Sequence, residues 1–403
     1  MNQRASKLTL IFDPGTSLTK VLYKAGRNGS VKHLTMDSHL LTVGVEIVGR
    51  LNKTSDFGKP EDNAWLQTDD SSCHLVGRLA QEYRALTSIK SLKYESIVPK
   101  ILALIGAIAI KEKLSHFIKL DLAILLPYGE FSNSLELEKE LLESIGQFKF
   151  QGDEYQVELQ QSGFFPEGAG IFSYGSQNKS PDLIQSETSA VLMFGYRNTS
   201  LLLFKNGTLS LDSSGSTDLG FYNFSDRIIK QTSGLTREAI QSAIYTRQEK
   251  VINHQTALGE EKSVTTLAVE DLVKARDSQR AKAEKSRIET AISNSRKEYW
   301  QLIAAWLDEV LPSQRHLDRL IHTGGTSGFF QQELQHYMSK KYSKIEVSST
   351  DEIERELLSV LDLSEAGLKK FQQQQLPLRF ADAWGVFKSF AKYNAASLSL
   401  ATA

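Results

Sequence analysis

Residues 8–23 constrain the fold more tightly than any other stretch. An apolar run, Leu8-Thr9-Leu10-Ile11-Phe12, enters the turn formers Asp13-Pro14-Gly15-Thr16-Ser17, and the chain resumes as Val21-Leu22-Tyr23. Two apolar runs joined by Asp, Pro and Gly read as a β-hairpin with its turn at 13–17. The contents of the turn add a second reading. Backbone N–H groups, the Thr16 and Ser17 hydroxyls and the Lys20 ammonium suit phosphate oxygens, and the Asp13 carboxylate suits the water shell of Mg²⁺. Turn geometry alone also selects Asp, Pro and Gly, so the motif taken singly leaves both readings open.

The 403 residues exceed one ordinary hydrophobic core and point to about two domains or one bilobed body. Apolar content of 40% with 24% charged residues is that of a water-soluble globular chain. The net charge of −1 supplies no field for direct nucleic-acid or anionic-membrane contact. A single cysteine, Cys73, excludes an internal disulfide framework and suits a reducing, cytoplasmic setting. The start of the chain is polar, and the longest apolar run, 101–110, is too short to span a bilayer and reads as a buried helix.

Further along, 27–70 is mixed and reads as a small insert. Residues 75–90 and 97–117 read as helices, 120–126 as a buried strand stopped by Pro127, and 136–145 as a helix. A second hairpin follows at 190–205: Val191-Leu192-Met193-Phe194, the turn Gly195-Tyr196-Arg197-Asn198-Thr199-Ser200, then Leu201-Leu202-Leu203-Phe204. Both hairpins run strand, small-residue turn, strand, then Lys-x-Gly, and Gly195 follows Gly15 by 180 positions. This reads as an internal repeat. Residues 224–305 have helical spacing, with a solvated charged face at 275–289 and an inward-packing stretch at 295–311. A short strand at 317–321 leads into His322-Thr323-Gly324-Gly325-Thr326-Ser327-Gly328 and a helix beginning near Phe329. Paired glycines before a helix N-terminus let backbone approach an anionic or polar ligand closely, although a simple loop needing positive φ uses the same residues. A last helix covers about 378–392.

Taken in order, Asp13-x-Gly15-Thr16 with Lys20, Pro166-Glu167-Gly168, the 195–200 turn, Gly324-Gly325-Thr326 and the closing Arg379-Phe380-Ala381-Asp382-Ala383-Trp384-Gly385 resemble the actin-like ATPase superfamily. Within it the chain is most similar to the bacterial ParM-like filament proteins of plasmid segregation. The resemblance implies an α/β fold of two related ribonuclease-H-like domains flanking a nucleotide cleft. Domain I would be 1–166 plus 376–403, carrying the 27–70 insert, and domain II 167–375, carrying a helical region at 224–290. It implies ATP (or GTP) with Mg²⁺. Asp13 would hold the metal through water, and Gly15, Thr16, Ser17 and Lys20 would line the phosphates. Glu167 would join Asp13 as a catalytic carboxylate, by positioning water. Gly195, Arg197, Asn198 and Thr199 would contact phosphate, and Gly324, Gly325 and Thr326 the adenosine side. Three of these have plain structural alternatives: an exposed strand lysine for Lys20, a helix-start glutamate favoured by the dipole for Glu167, and an outward strand-end arginine for Arg197. The second turn departs from the family, which places an Asp where this chain has Met193. A thioether cannot orient a metal-bound water, so hydrolysis is expected to be slow.

The function implied is a nucleotide-dependent filament, assembled head to tail from copies of the chain. It would work with a DNA-binding or scaffold adaptor and touch neither nucleic acid nor membrane itself, in plasmid segregation or cell shape. Three other readings stand beside it. A small-molecule kinase of the same superfamily would need a substrate-site base. A nucleotide-gated chaperone would need a further domain, yet only about 20 residues follow Asp382. A non-polymerising nucleotide-binding protein would suit Met193.

Overall fold

The computed structural model describes residues 5–53, 58–83, 96–245, 248–251, 263–266, 269–312, 317–342 and 344–401. The chain divides into two compact units, one of Met1–Ile184, Thr350–Leu363 and Phe380–Ala403, the other of Gln185–Ser349 and Ser364–Arg379.

The strands of the first unit are β1 (Ser6–Pro14), β2 (Thr19–Ala25), β3 (Val31–Met36), β4 (Leu40–Gly44), β5 (Trp65–Gln67), β6 (Ser72–Val76), β7 (Phe117–Leu126), β8 (Gln147–Phe150) and β9 (Asp153–Pro166). They form one sheet in the order β3-β2-β1-β7-β9-β8-β5-β6-β4. β1 and β2 make the hairpin expected from the sequence, with Pro14 opposite Thr19 and Asp13 opposite Lys20. β7 lies parallel between β1 and β9. A strand covered on both faces must be apolar at successive positions, and 120–126 is buried throughout. β9 has no such run. Tyr155 and Val157 alternate inward along its first half, and its middle is Gln160-Gln161-Ser162 before Gly163-Phe164-Phe165-Pro166.

Helix Ile97–Glu112 is buried along 100–109 and packs in the main core with Phe12, Leu122 and Phe150. It ends in a left-handed residue, Lys113 (φ 51°), with Leu114 N–H donating to the Ala109 carbonyl at 2.9 Å, the wrap-back that closes many helices. The 27–70 region divides. β3 is a strand of the main sheet, whereas Leu51, Trp65, Cys73, Leu75, Leu79 and Ala80 form a small separate core. Burial there pushes the Cys73 thiol up to about 11, which makes it inert. Of the helix expected at 75–90, Arg78–Glu82 is helical, and 84–90 lies outside the described residues.

The second unit holds β10 (Thr188–Phe194), β11 (Thr199–Lys205), β12 (Thr208–Leu209), β13 (Gly215–Thr217), β14 (Gln248–Val251), β15 (Ser263–Thr266), β16 (Arg319–Thr323) and β17 (Glu346–Ser348). Its main sheet runs β12-β11-β10-β16-β17, with β13 on β11. β11 is antiparallel to β10, and β10, β16 and β17 are parallel. That is the order and direction of β3-β2-β1-β7-β9 in the first unit. The repeat read from two hairpins is thus a repeat of a whole sheet topology.

The charged stretch and the apolar stretch expected at 275–311 are one helix, Ser278–Val310, started by Asp277 accepting from the Arg280 N–H. Ile288, Ile292, Ser295, Tyr299, Ile303 and Leu307 recur at three- and four-residue spacing and face inward, which is what keeps so polar a helix docked. Between the helices β14 and β15 form a two-stranded ribbon, where helical spacing was expected. Val251, Val264, Thr265 and Thr266 are β-branched, and stiff χ1 favours strand. Among the described residues no helix is long and apolar enough to cross a membrane.

Candidate functional site

The turn of the first hairpin is built around Gly15. A Cβ there would lie 2.4 Å from the Leu18 carbonyl oxygen, so only glycine lets the chain fold back at this point. Facing each other across the hairpin, Asp13 and Lys20 form an ion pair of 2.6 Å with both side chains about 90% buried. Lys20 is therefore not an exposed strand lysine. The pair takes one of the three ammonium donors, and the ammonium also lies 3.5 Å from where a Gly15 Cβ would sit, which places it over the turn. The Ser38 hydroxyl donates to the Thr16 carbonyl and pins the turn from the loop after β3. The Thr16 and Thr19 hydroxyls are buried and meet no partner. An unsatisfied buried hydroxyl costs about 1–3 kcal/mol. A phosphate oxygen arriving at the turn would accept from the Thr16 hydroxyl and from Lys20. Among the described residues no three of His, Cys, Asp and Glu are grouped to hold a metal, while Asp13 alone is suited to the water shell of a hydrated ion. This donor set fits a Mg²⁺-bound polyphosphate.

Glu167 is buried immediately after β9, and its N–H donates to the Leu126 carbonyl at the end of β7, 2.7 Å away. Gly168 takes φ +105° and starts helix Ala169–Ser176. Asp382, which the sequence placed in a motif without a role, closes that helix start: its two oxygens accept from the N–H groups of Gly168 (2.6 Å) and Ile171 (3.2 Å). Burial pushes the Asp382 carboxyl up to about 7; the Gly168 and Ile171 bonds oppose this, and the negative charges of Asp13 and Glu167 reinforce it. The charges of two other carboxylates of the same unit thus act on Asp382. The linkage has a definite sign. Between an unfolded value near 3.8 and the folded value near 7, the folded chain holds a proton that the unfolded chain has lost. The stabilisation is complete below about pH 4 and fades as pH rises through 7. Denaturation midpoints measured at pH 5 and pH 8 should therefore fall with pH in the wild type and fall less in Asp382→Asn.

The second hairpin repeats the first in backbone and differs in side chains. A Cβ on Gly195 would lie 2.6 Å from the Asn198 carbonyl oxygen, matching Gly15 and Leu18. Met193 stands opposite Ser200, where the first hairpin has Asp13 opposite Lys20, so the charged pair is missing from this turn. Its polar side chains are engaged within the unit: the Asn198 amide donates to the Ser216 hydroxyl at 2.8 Å, and the Thr199 hydroxyl to the Leu219 carbonyl. Arg197 is half-buried. The Gly324-Gly325-Thr326 turn follows β16, and Gly324 (φ +97°) leaves 2.3 Å between a Cβ and the Phe194 carbonyl oxygen. This turn therefore lies against the end of β10, beside the Gly195 turn. Gly325 is half-buried and Thr326 buried.

No protein-family model and no curated protein matches this sequence, so the likeness to known proteins rests on structure. An archaeal actin homologue, Ta0583, superposes with a TM-score of 0.56 at 16% identity over 96% of this chain and 99% of its own. The apo ParM protein of pSK41 gives 0.53 at 14% identity, over 95% and 98%. A ParM from Clostridium botulinum, solved as a 15-stranded filament, gives 0.53 at 15% identity, over 93% and 99%. Such identities speak for the fold, and here they span it from end to end in both directions. With a sheet topology that occurs twice and these neighbours, the chain has the fold of the ParM and archaeal actin-homologue structures.

Proposed function

We propose that this protein is a nucleotide-dependent, filament-forming actin-like protein that binds ATP with Mg²⁺ and hydrolyses it slowly. The observation that carries the reading is the first turn: a buried Asp13–Lys20 pair and a Thr16 hydroxyl with no partner, on a hairpin whose glycine cannot be replaced without distortion. Asp13 holds the hydrated metal, and Lys20 and Thr16 donate to phosphate oxygens while Ser17 and the turn backbone line them. The bound metal would neutralise charge on the phosphates. Glu167 orients the attacking water, with its backbone held by the ends of β7 and of helix Ala169–Ser176. The Gly195–Thr199 turn is assigned to nucleotide contact through its topological equivalence to the first turn, and the Gly324–Thr326 turn through its close backbone approach to the end of β10. Met193 supplies no carboxylate to this chemistry, which is why turnover is slow.

Self-assembly is inferred from the fold shared with ParM filament proteins, and an adaptor linking filament to DNA or to another scaffold would give the assembly its cargo. The test is right-angle light scattering of the purified chain with ATP, with ADP and without nucleotide, each with Mg²⁺. Scattering that rises with ATP and decays as ADP accumulates is expected. Scattering indifferent to nucleotide would remove the filament reading and leave a nucleotide-binding monomer.

A further inference from the structure

The backbone around Glu167 is fixed by three hydrogen bonds with different origins. Glu167 N–H goes to Leu126 of β7, while Gly168 and Ile171 N–H go to the two oxygens of Asp382. The last two cross 214 and 211 residues of chain. Asp382 has little freedom to move. A Cβ on Gly385 would lie 2.0 Å from the Gly170 carbonyl oxygen, and one on Gly170 would lie 2.1 Å from the Asp382 carbonyl oxygen. The two helices therefore meet backbone to backbone one turn beyond the carboxylate. Gly168, at φ +105°, is the residue whose rotation would swing Glu167, and its N–H is the shorter of the two bonds to Asp382.

We propose that Asp382 is a positioning residue for Glu167: its carboxyl group clamps the 167–171 backbone so that the Glu167 side chain is presented at one fixed direction to the water it orients. The inference rests on the ATPase reading above and adds to it a residue that touches neither nucleotide nor metal. The chemistry explains why an acid stands here. Two amides approach two separate oxygens, whereas an asparagine offers one carbonyl oxygen and turns an NH₂ group toward the other amide.

The test compares wild type, Glu167→Ala, Asp382→Asn and the double variant for steady-state ATP turnover and for ATP affinity by calorimetry. Asp382→Asn should lower kcat by about tenfold while affinity changes by less than about twofold. The double variant should be no slower than Glu167→Ala, because Asp382 acts through Glu167. An Asp382→Asn variant that turns over at the wild-type rate, or losses that multiply in the double variant, would overturn the proposal. Failure of the ATPase reading looks different: no turnover in wild type, or Glu167→Ala as fast as wild type. If Asp382→Asn does not fold, amide exchange in the wild type decides. Gly168 and Ile171 protected as strongly as the β7 amides supports the clamp, and rapid exchange at both sinks it.

Discussion

Gly385→Ala is expected to destabilise the first unit by about 3–5 kcal/mol, at the upper end for a single methyl group. Its Cβ would stand 2.0 Å from the Gly170 carbonyl oxygen and 2.4 Å from the carbonyl carbon. Both obstacles are backbone, so no side chain can rotate away, and one helix has to shift by an ångström or more. That shift pulls on the Asp382 bonds to Gly168 and Ile171, so hydrogen-bond loss adds to overpacking. The control is Gly49→Ala, in the short helix Val48–Leu51, where a Cβ meets nothing within 4 Å; it should be neutral or stabilising by up to about 1 kcal/mol. Urea unfolding followed by circular dichroism separates the two. A Gly385→Ala midpoint equal to wild type would mean that the helices do not touch as described.

Asp13→Asn should weaken Mg²⁺-dependent ATP binding by about 100-fold or more, roughly the worth of one charge-assisted contact in a water-poor site. The same change leaves Lys20 buried without its counter-charge, a loss of about 3–5 kcal/mol of stability. The two effects can be told apart. In Asp13→Asn with Lys20→Met neither member of the pair carries a charge, so stability should return to near the wild-type level, while binding stays lost because both the metal-side carboxylate and the phosphate-side cation are gone. Thermal unfolding and calorimetry on the three proteins make the comparison. Binding that recovers together with stability would show that Asp13 matters for folding alone.

The hairpin turns were legible because each lies between uninterrupted apolar runs, and a strand buried on both faces advertises itself. β9 was not, since its middle is Gln160-Gln161-Ser162 and its first half is covered on one side; its pairing with β7 supplies what its side chains do not. The missing carboxylate at Met193 was visible in sequence, but its partner Ser200 was not, because the Asp13–Lys20 and Met193–Ser200 equivalence depends on strand register. Asp382 was quoted within a motif, yet its task could not be read, since the amides it serves lie more than two hundred residues earlier. Helix Ser278–Val310 appeared as two stretches because its first turns have few inward positions, and only the full length shows one continuous face.

The central claim is that the Asp13 turn takes up a metal-bound nucleoside triphosphate. Isothermal titration calorimetry of the intact chain with ATP, with and without Mg²⁺, tests it most directly. The structure leads us to expect saturable uptake of one ATP per chain when Mg²⁺ is present, weakened strongly by EDTA. No heat of binding for ATP or GTP at any Mg²⁺ concentration would contradict it.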